Sequence, residues 1–161
     1  PLEVLVRAIE NAAAKEEMGI LRKEWNSTNS CFNTYRYVQN ASTNNAAIAA
    51  GEALSFNNTL GTIVSNDISD ASQNQPAGVG IGAISDNYYG WIVTGGYYAT
   101  VGTNGDDDIA DGATIILSSA DGDCDSVAAG TASTHMPLGI AVAADVDADN
   151  TVAAYLTVAE L

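Results

Sequence analysis

From Tyr35 onward the chain is a succession of short apolar runs separated by Gly, Asn and Asp. Runs this short, rich in β-branched and aromatic residues and bounded by turn formers, read as strands. The apolar content is mostly Ala, Val, Ile and Leu, and Gly, Ala, Asn, Thr and Ser dominate the rest. That mixture favours strands and tight turns over helices. Strands are expected over 34–39, 52–56, 61–65, 77–84, 89–94, 97–101, 113–118, 138–143 and 151–158. Gly95-Gly96, between two such runs, signals a hairpin turn. Strands packed this densely predict a β-barrel or sandwich.

An internal repeat sharpens the expectation. Ile48-Ala49-Ala50-Gly51-Glu52-Ala53-Leu54 matches Ile109-Ala110-Asp111-Gly112-Ala113-Thr114-Ile115, and the run from Pro76 to Ala83 matches that from Pro137 to Ala144, both at an offset of 61 residues. Each first match reads as a Gly turn feeding a strand, and each second as a Pro-started strand whose small residues allow close packing. Residues 46–94 and 107–155 are thereby expected to be two copies of a β-unit in a pseudo-two-fold barrel.

The N-terminal segment has a different texture. Leu2, Leu5, Ile9, Ala12 and Ala13 fall near one stripe and Glu3/Arg7 is an i,i+4 pair, so a helix is expected over 2–24, ended or interrupted at Gly19. Asn26 to Asn33 reads as a polar linker. The organisation expected is an arm with a short helix and linker over 1–34, followed by a mainly β domain over 35–161.

Charge divides the chain at nearly the same place. The five basic residues, Arg7, Lys15, Arg22, Lys23 and Arg36, all lie in the first 36, whereas fifteen of the twenty acidic residues follow. A body of charge near −15 repels itself, nucleic acid and anionic membrane, so neither of the latter is an expected partner. No window approaches 18 consecutive apolar residues, as a spanning helix needs. Pro1-Leu2-Glu3 has no charged region before an apolar stretch, so no secretory signal is expected. Cys31 and Cys124 read as free thiols, one bridge being the alternative; they make neither a disulfide framework nor a zinc site.

Candidate chemistry is sparse. His135 is the single histidine and stands in a Thr/Ser-rich loop with no nucleophile motif around it. No Gly-rich loop is followed by a helix and a Lys. Neither an enzyme nor a cofactor is expected. Asp121, Asp123 and Asp125, and again Asp145, Asp147 and Asp149, alternate as D-x-D-x-D, which makes them weak Ca2+ candidates. Neither run has the Gly or Glu of an EF-hand loop, and solvated acidic turns are the competing reading. Tyr88, Tyr89, Trp91, Tyr97 and Tyr98 form an aromatic patch that supplies core or a subunit interface. With Leu2, Leu5, Arg7, Ile9, Arg22, Lys23, Trp25 and Arg36 of the arm, they are the candidate contact residues.

Tyr35-Arg36-Tyr37-Val38-Gln39-Asn40-Ala41-Ser42, then Ile48 to Leu54, then Pro76-Ala77-Gly78-Val79-Gly80-Ile81, then Gly90-Trp91-Ile92-Val93-Thr94-Gly95-Gly96 form an ordered set. The set resembles tailed-bacteriophage capsid decoration (cement) proteins, a small β-barrel head-stabilising family. The resemblance covers roughly residues 35–158. It implies a structural virion protein without catalysis, bound to the major capsid protein on the outer face of the head and assembled as a homotrimer, with a terminal arm that grips the shell. The alternative expectation is an extracellular adhesive or surface-layer module binding Ca2+ through its D-x-D-x-D loops.

Overall fold

The computed structural model describes residues 9–41, 46–68, 75–105, 108–127, 135–145 and 150–158. Ten strands are formed among them: β1 (Leu21–Asn26), β2 (Cys31–Asn40), β3 (Ala53–Phe56), β4 (Ile63–Ser65), β5 (Pro76–Gly80), β6 (Tyr89–Gly102), β7 (Thr114–Leu117), β8 (Cys124–Ser126), β9 (Gly139–Ala141) and β10 (Thr151–Thr157). They join in one sheet of order β1-β2-β4-β3-β5-β6-β10-β9-β7-β8, with a further pairing of β2 with β6. The protein is mainly β, and the described residues contain no helix.

The extra β2–β6 pairing closes a circuit. β2 runs parallel to β4, β4 pairs with β3, β3 with β5, β5 with β6, and β6 returns to β2. A second circuit runs β6-β10-β9-β7-β8, and a parallel bridge between Thr103 and Cys124 brings it back to the end of β6. β6 serves both. Its first half pairs with β2 and its second half with β10, and Gly95 stands opposite both Thr34 and Thr157.

That arrangement corrects the hairpin expected at Gly95-Gly96. The two glycines lie inside one 14-residue strand. Gly96 has φ +89, and a Cβ there would lie 2.4 Å from the Phe32 carbonyl oxygen. Only glycine tolerates both the left-handed backbone and the close approach, so the pair bends β6 from one circuit to the next without reversing it.

Partner contacts recur 61 residues apart. Gly51 N donates to Gly80 O at 2.8 Å, and Gly112 N to Ala141 O at 2.9 Å; Ile84 N donates to Ile48 O at 3.0 Å, and Asp145 N to Ile109 O at 2.8 Å. Leu54 stands opposite Gly78 in β3–β5, and Ile115 opposite Gly139 in β7–β9. Each circuit holds a core. Val38, Ile48, Leu54, Phe56, Val64 and Ile92 fill the first, while Val101, Ile109, Ile115, Leu117, Leu138, Val152 and Leu156 belong to a larger cluster around the second. Within the strands they alternate, as Leu54 and Phe56 of β3 and Ile115 and Leu117 of β7 do, and Ile48, Ile109 and Leu138 add to them from the connections.

The helix expected over 2–24 is corrected over 9–24; residues 2–8 lie outside the described residues. Residues 9–20 form a non-helical strap, and Leu21–Asn26 pair with Cys31–Arg36 as an antiparallel ribbon. The strap is bonded edge-on to the sheet: Asn11 and Tyr89 exchange both backbone bonds, at 2.8 and 2.9 Å, and Gly19 N donates to Tyr37 O at 2.7 Å. Gly19, at φ +84, turns the strap into β1. The β1–β2 ribbon spans the boundary expected at 34/35.

Candidate functional site

The strap crosses the aromatic residues of β2 and β6. Tyr37 is 1% exposed and its ring lies 6.4 Å from that of Tyr89, nearly parallel, and 5.2 Å from that of Trp91. Lys15 N donates to the Tyr37 hydroxyl at 3.1 Å. Arg22 lies with its guanidinium carbon 5.1 Å from the Trp91 ring centroid, while its Nη2 meets Glu16 Oε1 at 2.9 Å. At the far end of the strap, Glu10 accepts from both the backbone N and the hydroxyl of Ser85. Ile9, Met18 and Ile20 point away from these contacts and are exposed, as is Lys15.

The ribbon β1–β2 carries the next group. Trp25 stands opposite Phe32, with their rings edge to face at 5.0 Å. Such a pair adds about 1 kcal/mol beyond its buried area, yet both rings stay more than half exposed. Lys23, two residues before Trp25 and on the same face, is exposed. Further round the sheet, Tyr97 faces Tyr155 in edge geometry at 5.7 Å, and Tyr155 stands opposite Ile140.

The candidate contact residues thus divide. Trp25, Lys23, Ile9 and Tyr88 are exposed, and Tyr97 is half-buried. Trp91 is covered by the Arg22 side chain, and Tyr89 stacks on Tyr37. Tyr98 turns inward, its hydroxyl donating to Gly80 O at 3.1 Å, and burial raises its pKa above the ordinary 10.0 against the opposing effect of a hydrogen bond with Thr100. Arg36 is 3% exposed. It shares the inward parity of Val38 and Asn40 on β2, so its guanidinium lies 5.3 Å from the Phe56 ring centroid and donates to Gly61 O at 3.0 Å. Arg36 therefore belongs to the interior, not to a contact surface. Leu2, Leu5 and Arg7 lie outside the described residues.

A comparison with family models, with curated proteins and with solved structures finds no match to this chain. What the protein does must therefore be argued from its surfaces.

The acidic runs take separate roles. Asp121 Oδ1 accepts from Ile68 N at 3.1 Å, and Asp125 caps the backbone of its neighbour Ser126. Asp145 is 3% exposed and accepts from the Thr103 hydroxyl at 3.1 Å. Asp147 and Asp149 lie outside the described residues. Asp123 is raised above the ordinary 3.8 by burial, then by the charges of Glu52 and Asp121. Among the described residues no three carboxylate, thiol or imidazole groups come together as a metal site. Asp123, just before β8, and Asp125 within it flank Cys124, whose side chain enters the core. Cys31 and Cys124 are free thiols. Cys124 is pushed up to about 12, by burial first and then by Asp123, Asp125 and Asp145. His135 is exposed.

Phe32, Tyr155 and Ile140 are exposed surface residues that sequence reasoning did not single out. The signal available for Ile140 and Tyr155 was their parity: each lies between buried neighbours, Gly139 and Ala141, Ala154 and Leu156.

Proposed function

We propose that the protein is a structural virion protein that binds the outer surface of a tailed-phage capsid through the major capsid protein and cements neighbouring capsomers, as a homotrimer and without catalysis. The observation that carries this reading is the strap. It is a segment held to a rigid sheet by backbone bonds, presenting Ile9, Met18 and Ile20 to solvent beside Lys15, on a chain that has no Lys or Arg after Arg36. A clamp needs a stiff body, an adhesive edge and a soluble outer face. Repeated over a shell, even weak contacts of this kind add through multivalency. Nucleic acid and anionic membrane are repelled by the same body charge.

The finer architecture belongs to this proposal. We read the two strand circuits as two small barrels related by a pseudo-two-fold, built from two copies of one β-unit over 46–94 and 107–155. The contacts that recur at one offset, and the left-handed Gly51 and Gly112 at φ +92 and +80, support it.

Co-sedimentation with expanded, undecorated heads of the parent phage tests the function. A truncation beginning at Arg36 would cut β2 in half, so the informative comparison is with Ile9→Ser/Met18→Ser/Ile20→Ser in the full chain. Saturable pelleting that the triple variant loses is the expected result. Pelleting by both proteins keeps the cement role and moves the grip off the strap. Failure of both to pellet defeats the reading.

A further inference from the structure

The two circuits differ at one buried position. In the first, Ile84 N donates to Ile48 O at 3.0 Å, and Ile84 is 2% exposed within the apolar core. In the second, 61 residues further along the chain, Asp145 N donates to Ile109 O at 2.8 Å. Asp145 is 3% exposed, so a carboxylate lies buried where the first circuit buries an isoleucine. Its Oδ2 accepts from the Thr103 hydroxyl at 3.1 Å. Its Oδ1 is buried and has no hydrogen-bond partner.

A carboxylate removed from water is costly unless it is both hydrogen-bonded and paired with positive charge. The described cations lie elsewhere. Arg36, after which no Lys or Arg follows, stands against Phe56 in the first circuit, and Arg22 is held between Trp91 and Glu16. Lys15, Lys23 and His135 are exposed. More negative charge gathers nearby: Asp123 and Asp125 act with Asp145 to raise the Cys124 thiol, and Thr103 is bridged to Cys124 at the end of β6. We propose that Asp145 Oδ1 is the anchoring ligand of a binding site for a hard divalent cation of the Ca2+ kind, at the end of the second circuit where Thr103 meets Cys124.

Chemistry selects the occupant. A buried water meets the hydrogen bond of Oδ1 but leaves the charge. A protonated carboxyl removes the charge but leaves a buried donor unmet. A cation from solution answers both. The groups at the position are carboxylate and hydroxyl oxygens, which suit hard cations, and Ca2+ accepts irregular oxygen shells more readily than Mg2+ does. The soft group nearby, the Cys124 thiol, is pushed up to about 12 and stays protonated at neutral pH. This is not a D-x-D-x-D loop site, because Asp121 accepts from the Ile68 amide and Asp125 from the Ser126 amide. With one anchoring carboxylate the affinity belongs to the weak class, about 10⁻⁴–10⁻³ M. The inference does not depend on a shell partner.

Calorimetric melting of the full chain tests it, in about 0.15 M NaCl so that general screening of the body charge is already largely in place. About 10 mM CaCl2 is expected to raise Tm by about 3 °C or more over NaCl of matched ionic strength. Asp145→Asn keeps the shape of the side chain and removes its charge, and is expected to lose that increment. Glu17→Gln, a surface carboxylate on the strap, is expected to keep it. A second readout needs no variant: in amide spectra of 15N-labelled wild type, saturable Ca2+ shifts are expected to centre on Thr103, Ile109 and Asp145. A wild type that responds to CaCl2 no more than to matched NaCl overturns the proposal. So does an increment that Asp145→Asn retains, or a set of shifts that spares Thr103 and Asp145, since the ion then sits elsewhere on the acidic surface.

Discussion

Arg22 stands over Trp91, its guanidinium carbon 5.1 Å from the ring centroid, and at the same time holds Glu16 at 2.9 Å. One side chain thus ties the strap to β6 and closes the aromatic group beneath it. Arg22→Ala should cost about 1–2 kcal/mol, the sum of a half-exposed cation–π contact and a partly screened ion pair. It should also speed amide exchange at Lys15 and Gly19 more than at any β3 or β7 amide. Urea denaturation and hydrogen exchange check both. Equal acceleration everywhere would mean that Arg22 supports the whole fold and not the strap.

Gly51 and Gly112 take the same left-handed turn but in different surroundings. A Cβ at Gly51 would lie 2.6 Å from the Thr100 carbonyl oxygen, while a Cβ at Gly112 meets nothing within 4 Å. Gly112→Ala should therefore cost only the backbone strain, about 1–2 kcal/mol. Gly51→Ala adds a steric conflict with backbone and should cost about 3 kcal/mol or more. Denaturation midpoints of the two variants measure the gap, and equal losses would contradict it.

Cys124 should make stability fall in alkali. The unfolded thiol loses its proton near the ordinary 9.0 and the folded one near about 12. The contribution is fully present below pH 9 and is lost as pH rises towards 12, at up to about 1.4 kcal/mol per pH unit. The raised Tyr98 hydroxyl adds a loss of the same sign above pH 10. Urea titrations between pH 8 and 10.5 should show the decline, and Cys124→Ala should flatten its first part. In the native state a thiol reagent at pH 8 should reach Cys31 and spare Cys124.

Asp123 should be worth more neutral than charged. Its folded pKa is raised, so its favourable contribution belongs to the protonated form and is lost as pH rises through the folded value. Asp123→Asn should stabilise the protein at pH 7 by about 0.5 kcal/mol, a figure kept small because the half-buried carboxyl is partly screened by solvent. The gain should vanish near pH 3. A loss at pH 7 would show that the carboxylate makes a contact outweighing its repulsion.

The strands after Tyr35 are legible in the sequence because short apolar runs recur between Gly, Asn and Asp turns, buried on both faces in β3 and β5 and at alternate positions in β7 and β10. β8 is not legible: Cys124-Asp125-Ser126 is short and acidic, and it forms because β7 and Thr103 supply partners. β1 fails for the same reason, since Leu-Arg-Lys-Glu-Trp-Asn has no apolar alternation and gains its place from β2. The N-terminal expectation goes astray because Ala12-Ala13-Ala14-Lys15-Glu16-Glu17 is rich in helix formers, and propensity yields to tertiary bonds. Gly95-Gly96 misleads because a bend within a strand and a turn between strands ask the same freedom of glycine. Of the candidate contact residues, Trp25 and Lys23 are legible from composition and charge, but the exposed pair that Trp25 makes with Phe32 exists only through register. Asp121, Asp123 and Asp125 are visible as a carboxylate run, yet the partners that take Asp121 to the Ile68 amide and Asp125 to the Ser126 amide are not.

The burial of Arg36 has a consequence for proteolysis. Trypsin cleaves after Lys and Arg, and the last such residue lies at 3% exposure beneath Phe56 and Gly61. The folded protein should lose only pieces ending at Arg7, Lys15, Arg22 or Lys23. Complete unfolding adds just one cut, releasing residues 37–161 as a single fragment. The rate at which that fragment forms should report the opening of β2 with no other cleavage to obscure it.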